Sequence, residues 1–226
     1  MRGCFVTGTD TGAGKTVVAA AIAAALHASG QRVAAYKPVV TGTDDAPDAA
    51  WPRDHELLAA ATGTRAQDVT SATFGPAVSP HLAAQLAGSE LRLDRLIDAA
   101  RRAADDADVL VVEGVGGLLV PFNAEHDVRD LAVALGLPLV IAARPGLGTI
   151  NHSLLTIEAA RAVGLEVRAI VLTPWSAQPS VMERSNRETI ARLGRVEVAG
   201  LPPTGAAVQD LARAGVTLPL VRWLAS

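Results

Sequence analysis

GCFVTGTDTGAGKTVVAAAIAAALHA, residues 3–28, decides how this chain folds. Residues 3–7 form a short apolar run, the pattern of a strand covered on both faces. The uncharged stretch 16–31 is mostly alanine and reads as a buried helix, with 14–29 as its expected extent. Between strand and helix lies GTDTGAGKT, residues 8–16. That context is what a phosphate-binding loop requires. Glycines let backbone N–H groups turn towards an anion, and the helix N-terminus adds partial positive charge at the same point. Lys15 can reach terminal phosphates as a point charge, and Thr16 places a hydroxyl where Mg²⁺ would sit. The usual G-x-x-x-x-G-K-[ST] spacing would put the first glycine at Thr9, but here it is Gly8, one residue earlier.

Outward from this stretch, short apolar runs alternate with longer alanine- and leucine-rich segments. Strands are predicted at 3–7, 32–36, 109–113, 138–142, 167–172 and 195–199. Helices are predicted at 14–29, 54–62, 80–87, 93–104, 127–135, 149–163, 180–193 and 206–214. The alternation implies an α/β fold of the phosphate-loop NTPase type, with a mostly parallel sheet and helices on both faces. The segment 37–53, rich in Pro, Gly, Thr and Asp, reads as a long functional loop within one domain spanning 1–226.

Composition narrows the function. Of 226 residues, 50% are hydrophobic and 19% charged, enough apolar material for a sizeable core. The net charge of −3 supplies no overall basic field for a nucleic-acid backbone. The single cysteine, Cys4, excludes a disulfide framework and reads as a small buried hydrophobe. No targeting segment is visible, and the strongly apolar run 131–143 is too short for a membrane span and contains Pro138. A cytoplasmic protein that binds neither membrane nor nucleic acid is expected. The 20 basic residues divide into 18 arginines and only Lys15 and Lys37. A lysine that survives such a bias marks a place where a compact ammonium is wanted.

Four further places carry chemistry. YKPVVTG, residues 36–42, ends the second predicted strand and places Lys37 as a second cation near the phosphate loop. Asp54 opens the 54–62 helix and reads as its N-cap, as an Mg²⁺ ligand, or as both. VLVVEGVGG, residues 109–117, is a strand ending at Glu113 and followed by a glycine-rich turn. A buried strand-end carboxylate needs a metal or a paired cation, here Mg²⁺ or an arginine. Gly114, Gly116 and Gly117 would let backbone amides approach a ligand. At 146–160 a glycine turn enters a helix that Thr149 or Asn151 would cap, and its N-terminus suits a carboxylate.

GTDTGAGKT, YKPVVTG, Asp54, VEGVGG and GTINHSLLT, in this order and spacing, resemble the dethiobiotin synthetase family. The resemblance runs from residue 3 to about 172, and the long phosphate-loop spacing is the family's habit. It implies a homodimer that carboxylates diaminopelargonate with CO2 and Mg-ATP and closes a cyclic urea. It implies that the loop residues Asp10, Gly12, Ala13, Gly14, Lys15, Thr16 and Val17, together with Glu113 and Gly116, hold the nucleotide. It further implies that Thr16, Asp54 and Glu113 hold Mg²⁺, and that Lys37 and Thr11 contact the carbamate. Thr41 and Gly117 would contact substrate. Thr149 and Asn151 would hold its distal carboxylate across the dimer interface. Gly12 stands where some relatives carry an acid. Thr173 and Pro174 are the candidates for the nucleobase.

Two rival readings remain on the sequence. A switch or partitioning ATPase would show a basic stripe or an amphipathic basic tail, and VTLPLVRWLAS at the C-terminal end has one arginine. A ring-closing ligase acting on another small acid is the other.

Overall fold

The strands assemble as β1 (Gly3–Gly8), β2 (Val33–Tyr36), β3 (Val109–Gly117), β4 (Leu139–Ala143), β5 (Val167–Leu172) and β6 (Glu197–Gly200). Their order in the sheet is β2-β3-β1-β4-β5-β6, and every ladder is parallel. The computed structural model describes residues 2–46, 48 and 50–224. Residues 47 and 49 of the expected 37–53 loop, and Met1, Ala225 and Ser226 at the ends of the expected domain, lie outside the described residues.

Ten helices occur among the described residues: α1 (Lys15–Ala28), α2 (Asp54–Thr62), α3 (Ala66–Val69), α4 (Pro80–Leu86), α5 (Leu93–Ala104), α6 (Val128–Leu135), α7 (Thr149–Arg161), α8 (Val181–Gly194), α9 (Val208–Gly215) and α10 (Leu220–Trp223). All the predicted elements are present within a few residues. The additions, α3 and α10, have four residues each, too few to show a helical period.

Alternation along β1 distributes the core. Cys4 and Val6 point to the face covered by α1, α2 and α9, where Leu57, Leu211 and Trp223 pack. Phe5 points to the other face, against Leu131 and Leu96 of α6 and α5. Further along that face, Ile141 and Ile170 meet Ile157 and Ile190 of α7 and α8. Cys4 is fully buried, and burial pushes its thiol pKa up to about 12.

The strand order also sets the position of the site. The chain leaves β1 across β3 to β2, and later crosses to β4 on the opposite side. Ligands of open α/β sheets bind where the order reverses in this way, beyond the carboxyl ends of the strands. The ends of β2, β3 and β1 therefore lie side by side. One expectation is corrected here: β3 does not end at Glu113 but continues to Gly117. Val6 pairs with Glu113 while Gly8 pairs with Gly117, so four residues of β3 span two of β1. The surplus is absorbed as an irregularity, with Gly116 at φ 58°.

The alanine run of α1 is explained by its neighbours. Val18 to Leu26 are all buried, and α9 closes onto them through Gly215. A Cβ on Gly215 would stand 2.0 Å from the Ala21 carbonyl oxygen. Gly215→Ala is therefore expected to destabilise the fold by about 1–3 kcal/mol, the usual cost of overpacking. A urea denaturation midpoint equal to that of the wild type would show that the α1–α9 contact tolerates a methyl group.

Candidate active site

The phosphate loop is built around its glycines. Gly12 and Gly14 adopt φ 69° and 91°, a region that side chains disfavour. Gly14 occupies the N-cap of α1. The stem of Lys15 crosses Gly8, where a Cβ would approach Lys15 Cγ to 2.9 Å. This accounts for a glycine at position 8. The Lys15 ammonium donates back to the Asp10 carbonyl at 3.2 Å. Burial first, and then repulsion from Lys37, lower its pKa below the ordinary lysine value.

Lys37, Glu113, Asp54 and Thr16 form one cluster. Lys37 follows β2, Glu113 lies on the adjacent β3, and Thr16 is in the first turn of α1, which the phosphate loop joins to β1. Lys37 Nζ contacts Glu113 Oε1 at 2.6 Å, Asp54 Oδ2 at 2.7 Å and the Gly114 carbonyl at 3.2 Å. The ammonium donates to Glu113 and to the Gly114 carbonyl and pairs with the Asp54 carboxylate. Burial alone would lower the Lys37 pKa, but Glu113 and Asp54 outweigh it and hold the group above the ordinary range. Burial raises the Glu113 pKa, and Lys37 only partly offsets that. For Asp54 burial acts in the same upward direction, but the Lys37 ammonium and the Thr16 hydroxyl prevail and lower the pKa. The expected arginine partner of Glu113 is therefore Lys37.

Thr16 shows that this oxygen set suits a cation. Its Oγ1 lies 2.9 Å from Asp54 Oδ1 and 2.8 Å from Glu113 Oε1. One hydroxyl proton serves only one of these carboxylates. Glu113 Oε2 is buried and has no hydrogen-bond partner. No cluster of three His, Cys, Asp or Glu side chains poised for a metal occurs among the described residues. A hydroxyl with two carboxylates instead fits Mg²⁺, which keeps waters and takes phosphate oxygens rather than a full protein cage.

A cavity of about 1000 Å³ opens over the cluster. Of the predicted site residues, Thr11, Gly12, Gly14, Lys15, Thr16, Val17, Lys37, Thr41, Asp54 and Gly116 line it. Glu113 joins from beneath through Lys37 and Thr16. Asp10, Ala13 and Gly117 belong to the same turns but do not form its wall. Thr173 lies under the loop, its methyl 2.5 Å from where a Gly14 Cβ would project, while Pro174 is exposed. Thr149 and Asn151 are not on this wall.

Two capping expectations are corrected. Gly148, at φ 91°, takes the N-cap of α7, so neither Thr149 nor Asn151 caps it. Thr149 Oγ1 is buried and unpartnered. Likewise Arg53, not Asp54, is the N-cap residue of α2, and the Asp54 carboxylate turns to Thr16 and Lys37.

Two residues of the site carry no sequence signal. Arg144, at the end of β4, donates to the Gly12 carbonyl at 3.1 Å, and its guanidinium lies 2.8 Å from where a Gly12 side chain would begin. Arg53 donates to three carbonyls of the turn at Gly42–Asp45. Among 18 arginines, nothing local distinguishes these two.

Residues 2–210 match the family model described as AAA domain. The chain is 42% identical over 216 residues to the ATP-dependent dethiobiotin synthetase BioD of Anaeromyxobacter dehalogenans strain 2CP-C, covering 95% of each. It is 36% identical over 206 residues to the protein of the same name from Bacillus subtilis strain 168, covering 90% of this chain and 87% of that one. The chain belongs to the ATP-dependent dethiobiotin synthetase family. The fold reaches further than the family does. The ParA family ATPase of Chlorobium tepidum TLS superposes with a TM-score of 0.54 at 14% identity, covering 98% of this chain and 92% of that one. The cell division ATPase MinD of Pyrococcus furiosus gives 0.56 at 15%, covering 96% and 98%. These two share the fold alone.

A buried ion pair is more costly to break than to replace. In this synthetase-family chain, Lys37→Met is expected to lower unfolding free energy by about 3–5 kcal/mol, because Glu113 is left enclosed without its cation. Adding Glu113→Gln to the same chain should restore part of the loss in thermal or urea denaturation. Additive losses in the double variant would mean that the two side chains do not depend on one another.

Proposed function

We propose that this cavity performs ATP-dependent dethiobiotin synthesis from 7,8-diaminopelargonate and CO2. The observation that supports the reading is the convergence of both lysines of the chain with Thr16 and Asp54 on one cavity, with Glu113 beneath them, in a member of this family.

One amine of the substrate captures CO2 as a carbamate. A carbamate oxygen attacks the terminal phosphorus of ATP, and ADP leaves. The second amine then attacks the carbonyl carbon of the mixed anhydride, closing the cyclic urea and releasing phosphate. The carbamate and the triphosphate are both anions, so their approach requires fixed positive charge. Lys15 supplies it to the terminal phosphate from the phosphate loop. Lys37 supplies it to the carbamate, exchanging for it the Gly114 carbonyl, its longest and only uncharged contact at 3.2 Å. Thr11 and Thr41, on the cavity wall, orient the carbamate and the diamine. Mg²⁺, held by Thr16, Asp54 and Glu113, would neutralise phosphate oxygens when bound. Positioning is the remaining task of the protein.

The distal carboxylate of the substrate would reach Thr149 and Asn151 at the N-terminus of α7 in a second copy of the chain, since within one copy these residues lie off the cavity wall. A homodimer, one functional unit over 1–226 and a cytoplasmic location complete the reading. No helix among the described residues is long and apolar enough to cross a membrane.

Phosphate release from ATP is expected only when diamine and bicarbonate are both supplied. Equal turnover without the diamine would overturn the proposed reaction. Lys37→Arg is expected to lower turnover by about 10²-fold or more, because a planar guanidinium cannot take the place of a compact ammonium. A near-normal rate would remove Lys37 from the reacting centre.

A further inference from the structure

Arg53 links two parts of the cavity wall, Asp54 beside it in the chain and the turn at Gly42–Asp45. As N-cap residue of α2, it precedes Asp54, which contacts Thr16 and Lys37. Its backbone N–H donates to Glu56 Oε2 at 2.9 Å, which fixes the start of the helix. Its side chain turns away from the helix. Nη1 donates to the Gly42 carbonyl at 3.1 Å, and Nη2 to the carbonyls of Thr43 and Asp45 at 2.9 and 3.1 Å. Gly42 and Asp45 line the same cavity as Asp54.

The amides of that turn are committed elsewhere. Gly42, Thr43 and Asp44 donate to the carbonyls of Pro76, Phe74 and Gly75 at 3.1, 3.1 and 3.0 Å. One guanidinium gathers the carbonyls of Gly42, Thr43 and Asp45, the first of which also accepts from the Asp45 N–H at 3.3 Å, and a planar fork is the side chain suited to hold several at once. We propose that Arg53 is a positioning residue that couples the nucleotide side of the cavity to its diamine side. Any displacement of Asp54 passes through one peptide unit to Arg53, and from its guanidinium to the wall at Gly42–Asp45. Occupancy of the phosphate loop thereby changes the affinity for the diamine, and the converse holds by linkage. Arg53 itself touches neither ligand.

This inference rests on the proposed dethiobiotin reading, and calorimetry separates the two. 7,8-Diaminopelargonate is titrated into the full chain with and without Mg²⁺ and a nonhydrolysable ATP analogue, and the analogue is titrated alone. In the wild type, the analogue is expected to strengthen diamine binding. In Arg53→Ala, that enhancement should be lost and the diamine should bind about tenfold more weakly with the analogue present, while the analogue alone binds within about twofold of wild type. Arg53→Lys keeps the charge but not the fork, and should resemble Arg53→Ala; it carries the comparison if the alanine variant does not fold. Equal weakening of both ligands would show a merely structural arginine and overturn the inference. Unchanged diamine affinity and enhancement would overturn it too. A wild type that binds no diamine would overturn the substrate assignment, and this inference with it.

Discussion

Glu113 sits at 0% exposure in the middle strand of three, with β2 on one side and β1 on the other. Removing a carboxylate from water costs several kcal/mol even after relaxation, and only excellent geometry offsets it. The strand order provides that geometry. Lys37 arrives from the end of β2 and Thr16 from the first turn of α1, the helix that follows β1, so a cation and a hydroxyl reach the same carboxylate from opposite neighbours. Asp54 then closes the group from α2. Much of the local architecture follows from this one enclosed charge. The glycines after Glu113 let β3 continue beside the phosphate loop, where a Gly116 Cβ would stand 2.8 Å from a Val120 methyl.

The same cluster is one proton short. Lys37 pairs with both carboxylates, but the Thr16 hydroxyl faces the same two with a single hydrogen, and Glu113 Oε2 has no partner. A polar network that is only partly satisfied is usually unfavourable in a core. At the floor of a cavity the same unmet oxygens are what the proposed divalent ion would use. The fold's stability and its proposed chemistry therefore compete for the same atoms.

The strands and helices were legible because each buries a face long enough to print its period on the sequence. GCFVTG and VLVVEG are apolar on both sides, and α1 is alanine through the region where α9 approaches. The elements that left no print are α3 and α10, whose four residues cover about one turn. The tail of β3 was read as a turn because its glycines signal a break locally, while pairing with Gly8 keeps it a strand. At the cavity, the sequence singled out Lys15, Thr16, Lys37, Asp54 and Glu113 by residue type and motif, and the fold brings them together. Arg53 and Arg144 were not singled out. Both act on backbone carbonyls, which every residue has, and only the folded chain shows which carbonyls lie within reach.

Lysine usage ties these levels together. All other basic side chains of the chain are arginine, and most lie at the surface, where a guanidinium and an ammonium serve equally well. Lys15 and Lys37 are 7% and 2% exposed. Lys15 has to thread over Gly8 within a loop whose backbone already crowds it. Lys37 has to fit its ammonium between Glu113 and the Gly114 carbonyl of β3 and the Asp54 carboxylate of α2. A guanidinium spreads its donors across a plane and would satisfy some of these acceptors only by expelling others. The composition of the surface was free to drift, whereas the enclosed carboxylate held these two positions to the smaller cation.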